Sequence, residues 1–435
     1  VPTIIGMLVF AMYSIVDRIF IGRAVGSVGI GAVSLTFPIF MILMAVGMLI
    51  GTGTGTLISI RMGEGKTAEA EKLAGNAFSL LVIIGAAGTG IGLTYIDHIL
   101  YTFGASANTY PYACDFMHVI FWGITFNFIA MGMNNIIRAE GNPKTAMKTM
   151  LIGAFLNLIL NPVFIFGLNM GVRGSALATV LSNIVTSIWV MYHFTYGKSN
   201  LKLRLKNLKV NLRTMMPAFA IGVSPFSMQI AASVVSVIAN RSLLYYGGDT
   251  AVSAMGIISA IAMFIFLPIM GINHGSQPII GFNYGAREFA RVRKAVLLAI
   301  SAASAISISG FLAVFFAPEF IIRIFDKNSA ELVKIGAPGM RTFLLLIPVL
   351  GFQAVGTNFF QAIGKPKISI FLSLLRQVLL LIPFLLIFPK FWGLDGIWLA
   401  SPVSDLIAAL TTAFFLFAAM KKLGEDQAQK DAAAV

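Results

Sequence analysis

The sequence predicts an all-α integral membrane protein, with twelve transmembrane helices in two parallel-repeat six-helix bundles. Three observations predict it. The chain is 58% hydrophobic and only 11% charged over 435 residues, whereas a soluble domain carries about 25% charged residues. Its apolar runs are long enough to cross a bilayer, which takes about 20 residues. Its turns recur at a near-constant offset of 222 residues.

The first six spans fall at residues 2–22, 32–60, 74–96, 112–136, 146–167 and 174–196. Span 1 carries Asp17 near its end, and residues 23–31 are left as the connection to span 2. Span 2 holds Gly51-Thr-Gly-Thr-Gly-Thr56, small residues that suit close helix packing or local unwinding. Span 4 runs into Arg138-Ala-Glu-Gly-Asn-Pro-Lys144, span 5 ends near Asn161-Pro162, and span 6 opens at Gly174. The next six spans fall at 215–244, 251–281, 295–317, 337–360, 368–388 and 396–420. Here Gln361-Ala-Ile-Gly-Lys-Pro-Lys367 repeats the span 4 turn at an offset of 223, and Gly285 and Gly396 repeat Gly63 and Gly174 at 222. Six spans per half insert both halves the same way up, an arrangement common in secondary transporters, which bind near the repeat interface.

The basic residues orient the chain. Of 31 Lys and Arg, 21 fall in the segments that face inward if the N-terminus is inside, 7 fall outside and three lie within spans. That asymmetry predicts both termini in the cytoplasm. The domains follow: an N-lobe at 1–196, a cytoplasmic basic linker at 197–214, a C-lobe at 215–420 and a cytoplasmic tail at 421–435. The expected setting is a bacterial cytoplasmic (inner) membrane, with the bilayer and a small-molecule substrate as partners and a monomeric state. The opening Val1-Pro2, inside an apolar run, reads as a trimmed N-terminus rather than a signal peptide.

Several function classes drop out. The net charge of +14 sits in cytoplasmic loops, and the basic linker has no interleaved aromatics for base stacking, so no nucleic-acid partner is expected. The Gly51–Thr56 run lacks the preceding strand of a dinucleotide loop. Gly65-Lys66-Thr67 lacks the Gly that a P-loop needs at position 60, which is Ile60. No cofactor is expected, and transport would draw on an ion gradient of Na⁺ or H⁺. His98, His118, His193 and His274 have no metal-ligand spacing, and no nucleophile–base arrangement points to an enzyme. The single cysteine, Cys114, excludes an intramolecular disulfide.

Charges and amides inside the spans then carry the functional reading, because an ionisable group at membrane depth is costly and marks a pathway. Asp17 ends about fifteen mostly apolar residues; it could instead pair with Arg18 or Arg23 at the water interface. Asn157 and Asn161 share one face of span 5, and Pro162 has no N–H for the Leu158 carbonyl. Thr179 offers a hydroxyl on span 6. Counted from the outer span ends, Asp17, Asn161 and Thr179 lie roughly 8–9 Å deep, with Asn157 one turn deeper. These four form either a cation or proton site or separate interhelical packing contacts. At the repeat offset Asp17, Asn157 and Asn161 fall on Ala239, Leu379 and Pro383, so any coupling site belongs to the first half.

These motifs together resemble the multidrug and toxic compound extrusion (MATE) family, in its DinF-like and MepA-like branch. The resemblance rests on Pro2, Tyr13 and Asp17 in span 1, Arg138 to Lys144, Asn157 to Pro162, and Gln277-Pro-Ile-Ile-Gly-Phe-Asn-Tyr-Gly-Ala286. It implies a V-shaped pair of bundles that export amphipathic, often cationic compounds against Na⁺ or H⁺. It implies an ion site at Asp17, Asn157, Asn161 and Thr179, and gating of span 1 at Pro2 and Tyr13. Asn161 departs from the family, which has Asp there, and leaves one carboxylate instead of two. The alternative is a flippase for lipid-linked oligosaccharides, of related architecture.

Arg376 and Asp405 lie near mid-membrane on spans 11 and 12 and read as a structural ion pair. Candidate cavity residues are Phe40, Met41, Met44, Asn127, Gln229, Met263 and Arg341. Methionine adapts to varied ligands, and at helical spacing it is equally ordinary packing.

Overall fold

The computed structural model describes residues 2–325 and 330–433, without the side chains of residues 10, 11, 13–15, 18, 19, 22, 26–28, 30, 249, 325, 330 and 433. Regular structure among them is entirely helical. In the first half these are α1 (Pro2–Gly63), α2 (Thr67–Thr94), α3 (Ile96–Thr102), α4 (Tyr110–Ala139), α5 (Pro143–Pro162) with a π turn at Val163–Gly167, and α6 (Gly171–Thr195). In the second half they are α7 (Leu212–Gly285), α8 (Phe289–Phe316), α9 (Pro318–Phe325), α10 (Ala330–Phe343), α11 (Ile347–Ala362), α12 (Pro366–Leu374), a π turn at Leu375–Leu381, and α13 (Ile382–Ala433).

Among the described residues nine helices are long and apolar enough to cross a membrane. There are ten if Glu331–Phe343 and Ile347–Ala362, bent by 44°, make one span. Gly393, at φ 54° and ψ −132°, breaks the Pro366–Ala432 stretch into two, and the first part of α1 precedes the span at Gly31–Gly63. The result is the twelve-helix arrangement. One detail differs from the sequence reading: helical conformation continues through residues 23–31, expected as an open connection. No proline interrupts that stretch, so nothing there removes a helical hydrogen bond.

The repeat is written in the backbone. Left-handed residues recur at matching places: Gly65 (φ 76°) and Arg287 (φ 57°), Gly141 (φ 90°) and Gly364 (φ 68°), Gly171 (φ 56°) and Gly393 (φ 54°). Each of the first two pairs closes a helix with the same reversed hydrogen bond. Lys66 N donates to Arg61 O and Glu288 N to Asn283 O, both at 2.9 Å; Asn142 N donates to Ile137 O at 3.2 Å and Lys365 N to Phe360 O at 2.9 Å. A left-handed residue after the last helical turn is the ordinary way to satisfy the orphaned carbonyls. The Arg138–Lys144 motif becomes legible: Gly141 makes the turn, the Asn142 side chain accepts from Thr145 N at 3.3 Å, and Pro143 occupies the first turn of α5. A methyl group on Gly174 would lie 2.9 Å from the Phe164 carbonyl, and one on Gly396 would lie 2.4 Å from that of Phe388. The conserved offset therefore marks two hairpins that both need close backbone approach.

The chain forms two compact units, Val1–Phe226 and Ser227–Val435. In the first, α4 packs against α1, α2 and α6, and α5 packs against α1 and α6. Its core has one cluster around Phe128, Ile136 and Phe194 and another around Ile21, Leu100 and Phe116. A methyl on Gly53 would fall 2.1 Å from Ala218 O, and one on Gly222 would fall 1.9 Å from Leu49 O. The Gly51–Thr56 run thus serves close packing. The second unit is built around Ile258, Met340 and Trp398, and around Phe359 and Phe360.

The boundary between the units falls inside α7 rather than in the linker. Residues 197–211 instead dock on the first unit. Asn76 Nδ2 donates to Asn207 O at 3.1 Å, Asn211 N to Asn76 Oδ1 at 2.6 Å, and Ser79 Oγ to Leu208 O at 2.7 Å.

Candidate functional site

Three helices of the first unit bring one carboxylate into a buried polar chain. α1 supplies Asp17, α5 supplies Asn157 and Asn161 one turn apart, and α6 supplies Ser175 and Thr179 one turn apart. Asn161 Nδ2 donates to Asp17 Oδ1 and to Asn157 Oδ1, both at 2.8 Å. Ser175 Oγ donates to Asp17 Oδ1 at 2.6 Å, and Asn157 Nδ2 donates to Thr179 Oγ1 at 3.2 Å. Asn157, Asn161 and Ser175 are buried, Asp17 and Thr179 half-buried.

The amide orientations follow from the partners. Turning Asn161 over would set its carbonyl oxygen against the Asp17 carboxylate and the Asn157 carbonyl, both acceptors. In the orientation that works, Asn161 Oδ1 is buried and has no hydrogen-bond partner among the described residues. A buried acceptor left unmatched costs about 1–3 kcal/mol.

Sequence depth placed Thr179 level with Asp17, and the structure corrects this. α6 opens at Gly171, three residues before the Gly174 used as its end, so each position on it sits about one turn deeper. Ser175 therefore meets Asp17, and Thr179 meets the deeper Asn157. Ser175 was missed because a serine among Gly174, Ala176 and Ala178 looks like small-residue packing. The signal was its spacing of four from Thr179. Of the alternative partners for Asp17, Arg23 is exposed and the side chain of Arg18 lies outside the described ones, as does that of the gating candidate Tyr13. Pro2, the other gating candidate, is the first described residue of α1.

The second unit holds the expected ion pair: Arg376 Nε donates to Asp405 Oδ1 at 2.5 Å, with Ser401 Oγ 3.4 Å from Oδ2. Arg376 sits in the π turn of Leu375–Leu381. Arg341 is exposed, and its Nε donates to Phe315 O at 3.2 Å. Of the other cavity candidates, Phe40 packs at a tilt on Phe116, with centroids 6.0 Å apart. Met41, Met44, Asn127 and Gln229 are half-buried and Met263 is exposed.

Another buried cluster had no sequence signal. Glu140, whose side chain is fully buried, meets His193 Nε2 at 2.5 Å and accepts from Ser199 Oγ at 2.5 Å and Asn200 N at 3.1 Å. Its members come from the end of α4, the last turn of α6 and the linker, and only folding joins them.

The profile of the MatE family matches residues 2–163 and again residues 226–387, once per repeat. The chain belongs to the MATE family. It is a multi-pass membrane transporter. Among curated relatives it is 28% identical over 432 residues to the multidrug export protein MepA of Staphylococcus haemolyticus, covering 98% of this chain and 94% of that one. It is also 28% identical over 436 residues to MepA of Staphylococcus aureus strain NCTC 8325 / PS 47, at the same coverages. Among solved structures it is similar to the MATE multidrug transporter DinF-BH in complex with R6G, at TM-score 0.90 and 38% identity, covering 96% of this chain and 93% of that one. An outward-facing multidrug resistance MATE transporter aligns at TM-score 0.91 and 26% identity, covering 97% and 94%.

Proposed function

We propose that this MATE protein is a secondary active exporter of small amphipathic, cationic compounds, coupled to Na⁺ or H⁺ entering through the Asp17 site. The observation that carries the reading is the Asp17–Asn161–Asn157–Thr179 chain with Ser175. Its only carboxylate is Asp17, so one positive charge neutralises it. A proton needs the carboxylate alone. Na⁺ would also draw on the neutral oxygens, and Asn161 Oδ1 is the one that lacks a donor among the described residues. Either ion neutralises the carboxylate and so weakens the charge-assisted hydrogen bonds through which Asp17 Oδ1 ties α1 to α5 and α6. Ion arrival thus loosens α1 from its neighbours, and an ion shifts a conformational balance only through its different affinity for the two states.

One feature favours export of cations over the flippase reading. Arg376, deep in the second unit, is neutralised by Asp405, so it is no spare cation for a pyrophosphate-linked sugar. The names of the relatives, multidrug exporters, point the same way.

The test is dye transport in proteoliposomes with an imposed Na⁺ or pH gradient. Asp17→Asn abolishes coupled export for either ion. Asn161→Ala and Thr179→Ala cripple a Na⁺-driven protein and largely spare a H⁺-driven one. Near-parental export against a gradient by Asp17→Asn would refute the site.

A further inference from the structure

The linker between α6 and α7 is a surface with its own chemistry. It joins two membrane spans, Gly171–Thr195 and Leu212–Gly248, so both of its ends leave the bilayer on one face. Between residues 197 and 213 there are six basic residues and no acidic one. A tether that only marked orientation would need charge and nothing more. This one is fixed along its length. Ser199 and Asn200 are held by Glu140, Lys202 N donates to Glu71 Oε1 at 3.1 Å, and Asn207, Leu208 and Asn211 are held by Asn76 and Ser79.

That fastening turns the polar backbone inward and the cations outward. Lys198, Arg204, Lys206, Lys209 and Arg213 are all exposed. Among the described residues one carboxylate, Glu71, answers them, at 3.3 Å from Arg204. Two leucines stand out among these charges: Leu205 is 87% exposed, between Arg204 and Lys206, and Leu212 is 61% exposed, beside Arg213. On α6 the approach to the linker is an aromatic ladder, Trp189 to Tyr192 at 6.3 Å and Tyr192 to Tyr196 at 6.0 Å, with Tyr196 at 82% exposure. Exposed leucine tips between cations, on a linker that follows an aromatic ladder in the chain, match a surface that is apolar a little way in and anionic at its rim.

We infer that the docked linker is a binding shelf for anionic phospholipid headgroups of the inner leaflet, with Lys206, Lys209 and Arg213 meeting the phosphates and Leu205 entering the acyl boundary. A nucleic acid would find no aromatic side chain between residues 198 and 213 on which to stack. The inference does not depend on which ion or compound is transported.

The experiment uses the purified full chain in neutral detergent, titrated with dioleoyl phosphatidylglycerol or dioleoyl phosphatidylcholine while its thermal unfolding midpoint is followed. The parent responds to phosphatidylglycerol at lower lipid than to phosphatidylcholine. Lys206→Gln/Lys209→Gln/Arg213→Gln weakens that preference roughly tenfold or more, since each basic residue near an anionic surface adds to binding. Lys206→Arg/Lys209→Arg/Arg213→Lys keeps it, which separates charge from fold. Bimane attached at Leu205→Cys, in a Cys114→Ser background, shifts to the blue in nanodiscs containing phosphatidylglycerol and does not in phosphatidylcholine alone. Equal responses to the two lipids, or a glutamine variant that keeps the preference, overturns the inference. So does full protection by soluble glycerol phosphate at matched concentration, which would mean a free-anion site. Stabilisation by polyglutamate without any phosphatidylglycerol effect overturns it in favour of an acidic protein partner.

Discussion

Removing Asp405 should cost this protein more stability than removing a buried side chain of similar size. The carboxylate is buried and held by Arg376 at 2.5 Å, and the Asp405 and Arg376 side chains are 10% and 26% exposed. Breaking such a pair by deleting one partner costs about 3–5 kcal/mol, mostly from the charge left behind. Arg376 retains some access to water, which places Asp405→Ala near the lower end, about 3 kcal/mol. At roughly 2–4 °C per kcal/mol for a unit of this size, the midpoint falls by about 6–12 °C. Arg376→Met strands the more buried carboxylate and should cost at least as much. The double variant Arg376→Met/Asp405→Leu should return close to the parent, because a well-packed apolar pair often matches a buried ion pair. The assay is fluorescence-detected thermal unfolding of the four proteins in one detergent, read as a double-mutant cycle. A single variant as stable as the parent, or a double variant as unstable as the sum of the singles, refutes the argument.

Three further outcomes are expected. Arg287 holds a left-handed conformation that Gly65 fills in the first repeat, so Arg287→Gly should raise stability by about 1 kcal/mol, while Gly141→Ala and Gly364→Ala should each lower it by about as much; unchanged unfolding midpoints would contradict this. Glu140→Ala frees Ser199 and Asn200, so trypsin should cut at Lys198 and Lys202 several times faster than in the parent, as followed by mass spectrometry; equal rates would show that the linker is held elsewhere. Asn161→Asp places a second acid 2.8 Å from Asp17, and two carboxylates that close hold one proton between them. Dye export should then depend more steeply on pH, and an identical pH profile would count against Asp17 and residue 161 acting as one unit.

The sequence revealed whatever depends on spacing along a single helix. Asn157 and Asn161 share a face because they are four apart, and Arg376 and Asp405 were matched by depth because both helices start at clear Gly or Pro turns. The same depth count slipped by a turn on α6, where the helix begins at Gly171 and the count began at Gly174. That slip hid Ser175. The Glu140–His193–Ser199 cluster was not legible for another reason: its residues are joined by tertiary folding, and each alone resembles an ordinary helix-end or loop residue. Turn chemistry was the most legible part. Its signals are Gly and Pro at fixed offsets, and the backbone answers them with matched left-handed angles.

One feature of α5 limits what mutation can do here. Immediately after Asn161-Pro162 the chain takes five residues, Val163–Gly167, through a wider winding than the helix before it. Such a turn holds one residue more than an ordinary helix would use over the same rise. Deleting one of the five would let the coil tighten to an ordinary helix of nearly the same rise and rotation, so the Asn157 and Asn161 face would keep its bearing on α6; adding one, with no slack left to take it up, would swing that face by about 100°. Val163 and Phe166 are exposed and look expendable. Their identity is free to drift and the turn can lose a residue, but one residue more would unseat the Asp17 contacts without touching a single polar residue.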